Sequence, residues 1–571
     1  MQYNGRCLVD GTASGRLLYS DVPLSFGGGV DPVCGEIVDG PHPLRGQRLK
    51  DHVLAIPSGR GSCSGSVAIL EVLLNGTGPA ALIFQHEEQI LTLGIIVSKM
   101  MFDFSIPVVV VGGQAFEQLK QYDYVAVSGR SVVASHEPVE VPSESPKRSL
   151  VARSVTLTMS DQAMLDGKYG EAASIAMKVL YESAEVQQAA SFIDVTQAHI
   201  DACVYTGPAG IRFAEHFLHL GDAKFAVPTS MNAISIDKRR WQEIGVDAEY
   251  AKQAERLADA YTKMGARPTY TGAPYLLDTV PTSGQHIGWA ESNAVNFANS
   301  VLGACTQKYP DFIDVCIALT GRAPAAGCHV EEQRAPKLVV EVAKLAASDD
   351  SLWPLFGYAV GHVCGPNIPV VLGLEGTRPT MSDLKAFGAA FATTSSAPMF
   401  HMSGVTPEAS KHEASLATLK RVQLSKGDVF QTWQTLNTAQ DSSISLIALG
   451  NPHFSFEELT TLSTLCSGKK CHTDISFVVT TSRHNYSQAS QAGALKKIED
   501  FGAQILCDTC WCMIQEPIAT PEGGHIMTNS GKYAHYAPGL VKRKVHFGSL
   551  QECVDTAVVG KRKTAVPRWL L

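Results

Sequence analysis

Charge is scarce in this chain. Asp, Glu, Lys and Arg together supply 18% of the 571 residues and leave a net charge of only -8, with a pI near 6.1. No extended basic face can be built from that, so neither nucleic acid nor an anionic membrane is expected as a partner. The short basic runs Lys542-Arg-Lys544 and Lys561-Arg-Lys563 read as solvated surface. Long apolar runs are missing too. Stretches such as Ile106–Val111 are too short to span a bilayer and read as buried strands. The N-terminus has no basic segment leading into an apolar one, so no secretory signal is expected. A cytoplasmic, reducing setting follows, in which most of the fourteen cysteines pack as free thiols. There is no second Cys-x-x-Cys, which counts against a structural zinc site. His286, His329, His362, His453 and His535 lack the i, i+4 spacing of a histidine zinc site. Internal repeats and low-complexity tracts are absent.

What is present fits a large globular enzyme. The hydrophobic fraction is 45%, and the length calls for about two to four domains. Residues 1–140 read as one α/β unit. Strand patterns at Val53–Ile56, Ala80–Phe84, Ile106–Val111 and Tyr122–Val127 alternate with helical patterns at Gly65–Leu74 and Gln89–Met101. Residues 137–149 hold three prolines and several charges with no apolar face, a linker composition, placing the linker proper at 141–150. It lets the first unit change position relative to residues 151–571. Beyond it, Ser160 is a plausible cap with Asp161 in the first turn of a short helix, Glu171–Ser183 reads helical, and Ser191–Val195 and Ile368–Leu372 read as strands. The last third repeats strand and helix: Ile444–Leu449, Phe456–Leu465, Ile475–Thr480, Ala489–Phe501, Ala503–Leu506. In parallel sheets ligands gather beyond the carboxyl ends of strands. Two loops qualify there, Gly450-Asn-Pro-His453 and Cys507-Asp-Thr-Cys510.

Three segments carry candidate chemistry. Cys507, Cys510 and Cys512 fall within six residues. Thiolates in such spacing serve as a redox pair, half a zinc site, or ligands of an iron–sulfur cluster. Thr528-Asn-Ser-Gly-Lys-Tyr-Ala-His-Tyr536 follows, a polar loop suited to a small anionic substrate, with Lys532 able to bind a carboxylate or stabilise a leaving group. The two together point to a metal-assisted lyase. Ser58-Gly-Arg-Gly-Ser-Cys-Ser-Gly-Ser66 lies between a strand and a helix. Its glycines allow close backbone approach, the helix start offers unpaired N–H groups, and Arg60 adds a fixed charge, so a serine there is easier to deprotonate. The same segment also reads as a simple cap and glycine turn. Glu291, in Gly288-Trp-Ala-Glu-Ser-Asn-Ala294, is either part of a ligand-lined loop or a favourable first-turn carboxylate.

These segments resemble the aconitase X family, a divergent branch of the aconitase superfamily. The resemblance rests on Ser58-Gly-Arg-Gly-Ser62 with Gly65-Ser66, Met231-Asn-Ala-Ile-Ser-Ile-Asp237, Trp289-Ala-Glu-Ser292, Ala298-Asn-Ser-Val-Leu-Gly-Ala304, Gly321-Arg322, Asp508-Thr-Cys510, and Met527-Thr-Asn-Ser530 with Lys532 and His535-Tyr536. It implies an aconitase-like α/β fold, with a small N-terminal swivel domain fused to a large multi-subdomain catalytic part and no separate small subunit needed. The fused type is similar to the enzymes that dehydrate cis-3-hydroxy-L-proline; the split type is similar to the mevalonate 5-phosphate dehydratases. The family also implies an iron–sulfur cluster, [2Fe-2S] for the fused type. Split-type relatives have Gly-Cys-Pro-His where this chain has Gly450-Asn-Pro-His453, and Arg where it has Cys305, so one thiol is lost and another gained. The expected ligands are Cys510, Cys305 and Cys364, with Cys507 or Cys328 as substitutes.

The implied reaction is loss of water from a cyclic hydroxy amino acid, giving an enamine and then Δ1-pyrroline-2-carboxylate. Ser62 corresponds to the serine base of the aconitases, and Gly61 would help form its anion hole. Cluster iron would act as Lewis acid on the hydroxyl. Lys532 would join the catalytic groups, and Arg60, Gly61, Asn529 and Ser530 would contact substrate. Rival readings are a cysteine-nucleophile hydrolase, with Cys510 or Cys63 as nucleophile and His535 or His453 as base, a non-catalytic cluster protein, and the same chemistry on a hydroxy acid phosphate.

Overall fold

The computed structural model describes residues 1–571 apart from 41, 61–63, 141–154, 343–348 and 563–565. The expected linker and the residues Gly61 and Ser62 therefore lie outside the described residues.

The leading unit is an eight-stranded sheet in the order Gln2–Asn4, Ser131–Ser135, Tyr124–Ser128, Thr12–Tyr19, His52–Ile56, Ala81–Phe84, Val108–Val110, Arg6–Val9. The four strands from Thr12–Tyr19 to Val108–Val110 run parallel, and antiparallel strands finish both sides. Strand alternation divides the side chains into two cores. Leu54, Leu82 and Val108 share one face with the helices Gly65–Leu74 and Ile90–Phe102. Val53, Ile83 and Val109 share the other with the helix Gly113–Leu119. The first two helices cross at Gly94, where a Cβ would stand 2.6 Å from the Ser66 carbonyl oxygen. Only glycine permits that approach.

The helix-side core continues into the rest of the chain, where it takes in Met164, Leu180, Phe213, Phe312 and Ile317. Polar contacts fix the docking. Glu71 accepts from the Ala209 N–H at 2.8 Å, at the start of the helix Pro208–His219. Arg6 donates to the Glu185 and Val186 carbonyls at 3.3 and 3.1 Å, at the end of the helix Glu171–Val186. An acid at a helix N-terminus and a cation at a C-terminus each complement the helix dipole.

The larger part carries three parallel sheets. One joins Thr229–Met231, Ala198–Ile200 and Gly288–Trp289. The second joins His401–Met402, Pro369–Leu372, Leu338–Val342 and Lys420–Leu424. The third runs Ala503–Leu506, Ser476–Thr481, Leu446–Phe454, Ile526–Thr528, Val545–Phe547. Two local expectations change. The helix expected to be capped at Ser160 starts earlier, as Met159–Leu165, because Thr158 and Asp161 form a capping box. The helix expected over Ala489–Phe501 is two, Arg483–Gln491 and Ala494–Phe501, parted at Gly493 with φ +71°. Among the described residues no helix is long and apolar enough to cross a membrane.

Candidate active site

The site forms where the carboxyl ends of two parallel sheets meet. From the three-stranded sheet, Ile200 leads to Asp201, Met231 to Asn232 and Trp289 to Glu291. From the five-stranded sheet, Leu449 leads to Asn451, Leu506 to the loop carrying Cys510 and Cys512, and Thr528 to Lys532. The bend that frees Asn451 depends on Gly450. Its φ is +94°, and a Cβ there would lie 2.1 Å from the Thr480 carbonyl oxygen, where the pairing of Leu446–Phe454 with its neighbour shifts register. The cysteine loop is pinned by the buried Trp511, which donates to the Leu449 carbonyl at 2.7 Å, and by Asp508, held bidentately by Arg483 at 2.6 Å.

Lys532 Nζ donates to Glu291 Oε1 at 2.8 Å, and both side chains are nearly shut off from solvent, at 12% and 8% exposure. Asn293 donates to the same carboxylate at 2.5 Å and is itself held by the Tyr275 hydroxyl at 2.7 Å. Burial alone would push the Glu291 carboxyl up, but the Lys532 ammonium and the hydrogen bonds from Lys532 and Asn293 together hold the group below its usual range. Burial would likewise lower Lys532, yet Glu291 and then Cys512 keep it protonated, well above an ordinary lysine. Behind this pair stand three more buried carboxyls. Asp314 accepts from the Asp201, Ala202 and Val315 N–H groups at 2.6, 3.2 and 2.8 Å. Asp201 accepts from Asn232, whose amide also points to Glu291 Oε2 at 3.4 Å. Asp311 is 1% exposed, and among the described residues no donor bonds either of its carboxyl oxygens.

On the other wall the Cys510 thiol donates to Cys512. That bond holds Cys512 down to about 7 against burial, helped by Lys532. The Asn451 amide also donates to the Cys512 sulfur, at 3.3 Å. Ser530 caps the helix Gly531–Leu540, accepting from the Tyr533 N–H at 3.1 Å and donating to the Asn451 carbonyl at 2.5 Å; Asn529, half-buried, precedes it. The leading unit closes the site. Arg60 pairs with Asp39 at 2.6 Å and donates to the Pro23 carbonyl at 3.0 Å. Its charge reaches His535 and Tyr536 on the Gly531–Leu540 helix and Tyr358. On the far side of residues 61–63, Ser66 donates to the Asp311 carbonyl at 3.3 Å.

The expected residues thus divide. Lys532, Ser530, Cys510 and Arg60 border one region. Cys305 lies elsewhere, beside Arg334, Glu408 and Cys328. Cys364 closes a helix end against Ser395 at 3.5 Å. Cys507 faces Arg239 and Asp508. Among the described residues no three His, Cys, Asp or Glu side chains are placed to hold a metal ion. As arranged, Cys510, Cys305 and Cys364 are not gathered into one group. The two histidines considered as bases are occupied. His453 bonds the Thr509 carbonyl at 2.8 Å and the Thr271 hydroxyl at 3.0 Å, and burial lowers it to about 4. His535 meets the Tyr358 hydroxyl at 2.9 Å, and burial with Arg60 lowers it to about 3. Asp201, Asp311 and Asp314 did not emerge from the sequence reading. Their one signal is a carboxylate set against apolar stretches, in Ile200-Asp201-Ala202 and in Asp311-Phe-Ile-Asp314.

A small α/β unit closed over a larger body, with a polar cluster where parallel sheets meet, defines an aconitase-like architecture. Comparison bears this out in detail. Residues 2–135 match the aconitase X swivel domain, 154–332 the first domain, 336–434 the second and 444–559 the third. The chain is 50% identical to cis-3-hydroxy-L-proline dehydratase of Hypocrea jecorina, covering 100% of this chain and 97% of that one. It is 47% identical to cis-3-hydroxy-L-proline dehydratase of Pseudomonas aeruginosa, covering 99% and 98%. The crystal structure of Thermococcus kodakaraensis aconitase X in its holo-form superposes with a TM-score of 0.64 at 29% identity, covering 71% of this chain and 100% of that one. The chain belongs to the aconitase X family, and family membership suggests an iron–sulfur cluster.

Proposed function

We propose that this chain is a hydro-lyase of the cytoplasm that removes water from cis-3-hydroxy-L-proline to give Δ1-pyrroline-2-carboxylate. The observation that carries the reading is identity of 50% and 47%, over essentially full length, to two proteins of that name. The charge of the site supports it. Four carboxyls are buried there, Asp201, Glu291, Asp311 and Asp314, and Lys532 is the cation facing Glu291 and Asp201. Such surroundings suit a zwitterion whose ring ammonium offsets negative charge, and they oppose a phosphate dianion. Arg60, already paired with Asp39, is a poor start for a phosphate pocket.

In this reading Ser62 takes the Cα proton, with Gly61 and neighbouring N–H groups stabilising its alkoxide. Support for Ser62 comes from the motif Ser58–Ser66 and from its flanks, Arg60 and Ser66, which both reach the larger part. Lys532, kept protonated by Glu291, holds the substrate carboxylate and so favours charge building up at Cα. Asn529 and Ser530 border that position. Residues 1–140 act as the swivel, 141–150 as its linker and 151–571 as the catalytic part. A [2Fe-2S] cluster on Cys510, Cys305 and Cys364, as the resemblance implies, would require these thiols to move together. When bound, such a cluster would supply a Lewis acid.

The test is proton NMR of anaerobically purified protein given each of the four 3-hydroxyproline isomers and, separately, mevalonate 5-phosphate. The cis-L isomer alone should yield the cyclic imine. Turnover of the phosphate ester with none of the prolines would overturn the assignment.

A further inference from the structure

We propose that Asp201 and Asp311 share one proton and that Asp311 delivers it to the departing hydroxyl, making the pair the general acid of the dehydration; this rests on the hydro-lyase reading above. Both residues are buried, at 2% and 1% exposure, and their carboxyls face each other closely enough to share a hydrogen bond. Two ionised carboxylates cannot coexist so close in a site screened from water. The two groups also differ in what else they touch. Asp201 is anchored by the Asn232 amide. Asp311, although buried, accepts from no donor group among the described residues, a state that is costly unless a proton or a ligand atom completes it. Asp314 is not part of the pair, because backbone N–H groups already satisfy it as an anion.

The groups around the pair reinforce its proton. Glu291 and Asp314 repel further negative charge, while Lys532 is the nearby cation and is neutralised first by Glu291. Cys203 and Tyr261 also face these acids, and burial keeps both in their neutral forms. Burial and then Glu291 raise Asp201 to about 8, and Asp311 is driven well above an ordinary carboxyl by burial and then by Asp201. The position is also right. Asp311 is tethered through its carbonyl to Ser66, at the start of the helix that follows the proposed base.

The step balances without a co-reactant. The base removes the Cα proton, and that bonding pair becomes the Cα–C3 double bond. The C3–O bond breaks with its electrons on oxygen, which takes the proton from Asp311 and leaves as water. The pair recovers a proton from the base through solvent before the next turnover, so one substrate gives one enamine and one water.

The test compares cis-3-hydroxy-L-proline with cis-3-chloro-L-proline, whose leaving chloride needs no proton. For the unmodified enzyme, kcat with the hydroxy substrate should fall at alkaline pH, where the shared proton is lost from a pair whose members both sit well above an ordinary carboxyl, and kcat with the chloro substrate should not. Asp311→Asn should slow dehydration by about 100-fold or more, yet keep chloride elimination within about threefold and still exchange the Cα proton in deuterium oxide. Asp201→Asn should move the alkaline limb to lower pH, because Asp311 loses its charged neighbour. The same alkaline limb with both substrates would overturn the proposal, as would equal loss of both reactions in Asp311→Asn. If the unmodified enzyme dehydrates no hydroxyproline, the hydro-lyase reading fails and takes the proposal with it. An active enzyme with an unaffected Asp311→Asn variant sinks the general acid alone.

Discussion

Removing the ammonium of Lys532 should destabilise the body of the enzyme in a way that a second substitution repairs. At 2.8 Å from Glu291 Oε1, the pair attracts by ~6 kcal/mol at an effective dielectric of about 20. Much of that offsets the desolvation of both groups, so the intact pair adds little net stability. Breaking it is another matter. Lys532→Met leaves Glu291 charged, buried and next to Asp201, which should cost about 3–5 kcal/mol. The double variant Lys532→Met, Glu291→Gln removes the stranded charge and should regain most of the loss. The pH dependence has a definite sign. With Lys532 present, the Glu291 carboxyl is depressed, so its contribution exists above the unfolded carboxyl pKa and disappears as pH falls. In Lys532→Met burial raises the same carboxyl, so the variant recovers stability on acidification and the gap to the unmodified protein narrows from pH 8 to pH 5.5. Urea unfolding followed by tryptophan fluorescence reads this, since two of the six tryptophans, the buried Trp289 and Trp511, flank the site. A double variant no more stable than Lys532→Met, or a gap that widens on acidification, would refute the argument.

Ser62→Ala should fold normally and lose turnover by several orders of magnitude, measured as imine formation; near-normal activity removes Ser62 from the mechanism. Cys510→Ser, Cys305→Ser and Cys364→Ser should each lower iron per chain in anaerobic preparations if the three thiols gather around a cluster, and a variant with full iron content is not a ligand. An analogue of the substrate with ring oxygen in place of the amine should bind more weakly by about 1.5–3 kcal/mol, the worth of a charged hydrogen bond, as read by competitive inhibition; equal affinity would mean that the acid cluster does not sense the ammonium.

The sequence exposed those parts of the site that sit in regular contexts. The loops at Gly450–His453 and Cys507–Cys510 were legible because apolar runs end there, and strand ends in parallel sheets are where ligands collect. The helix Gly65–Leu74 was legible to the residue. Proximity was not. Cys305, Cys328 and Cys364 occupy similar small-residue loops in sequence, yet Cys305 and Cys328 share one environment while Cys364 closes a helix elsewhere. Glu291 has a role that its helix start shows and another that it does not. It caps the helix Ser292–Phe297, and it also pairs with a lysine 241 positions later. Nothing local to Glu291 announces the second role.

The acid cluster carries the larger argument. Four carboxyls brought out of water cannot all remain charged against a single lysine, so the fold must supply protons or a ligand with positive charge. Asp314 is spared by backbone donors and Glu291 by Lys532, which leaves Asp201 and Asp311 to share a proton. In the proposed reading, a substrate that arrives with a ring ammonium and a carboxylate meets both needs, with its cation toward the acids and its anion toward Lys532. A phosphate ester meets neither. The distribution of charge therefore selects the amino acid before any shape is considered, and it does so with residues drawn from strands that are distant in sequence and brought together only by the meeting of two sheets.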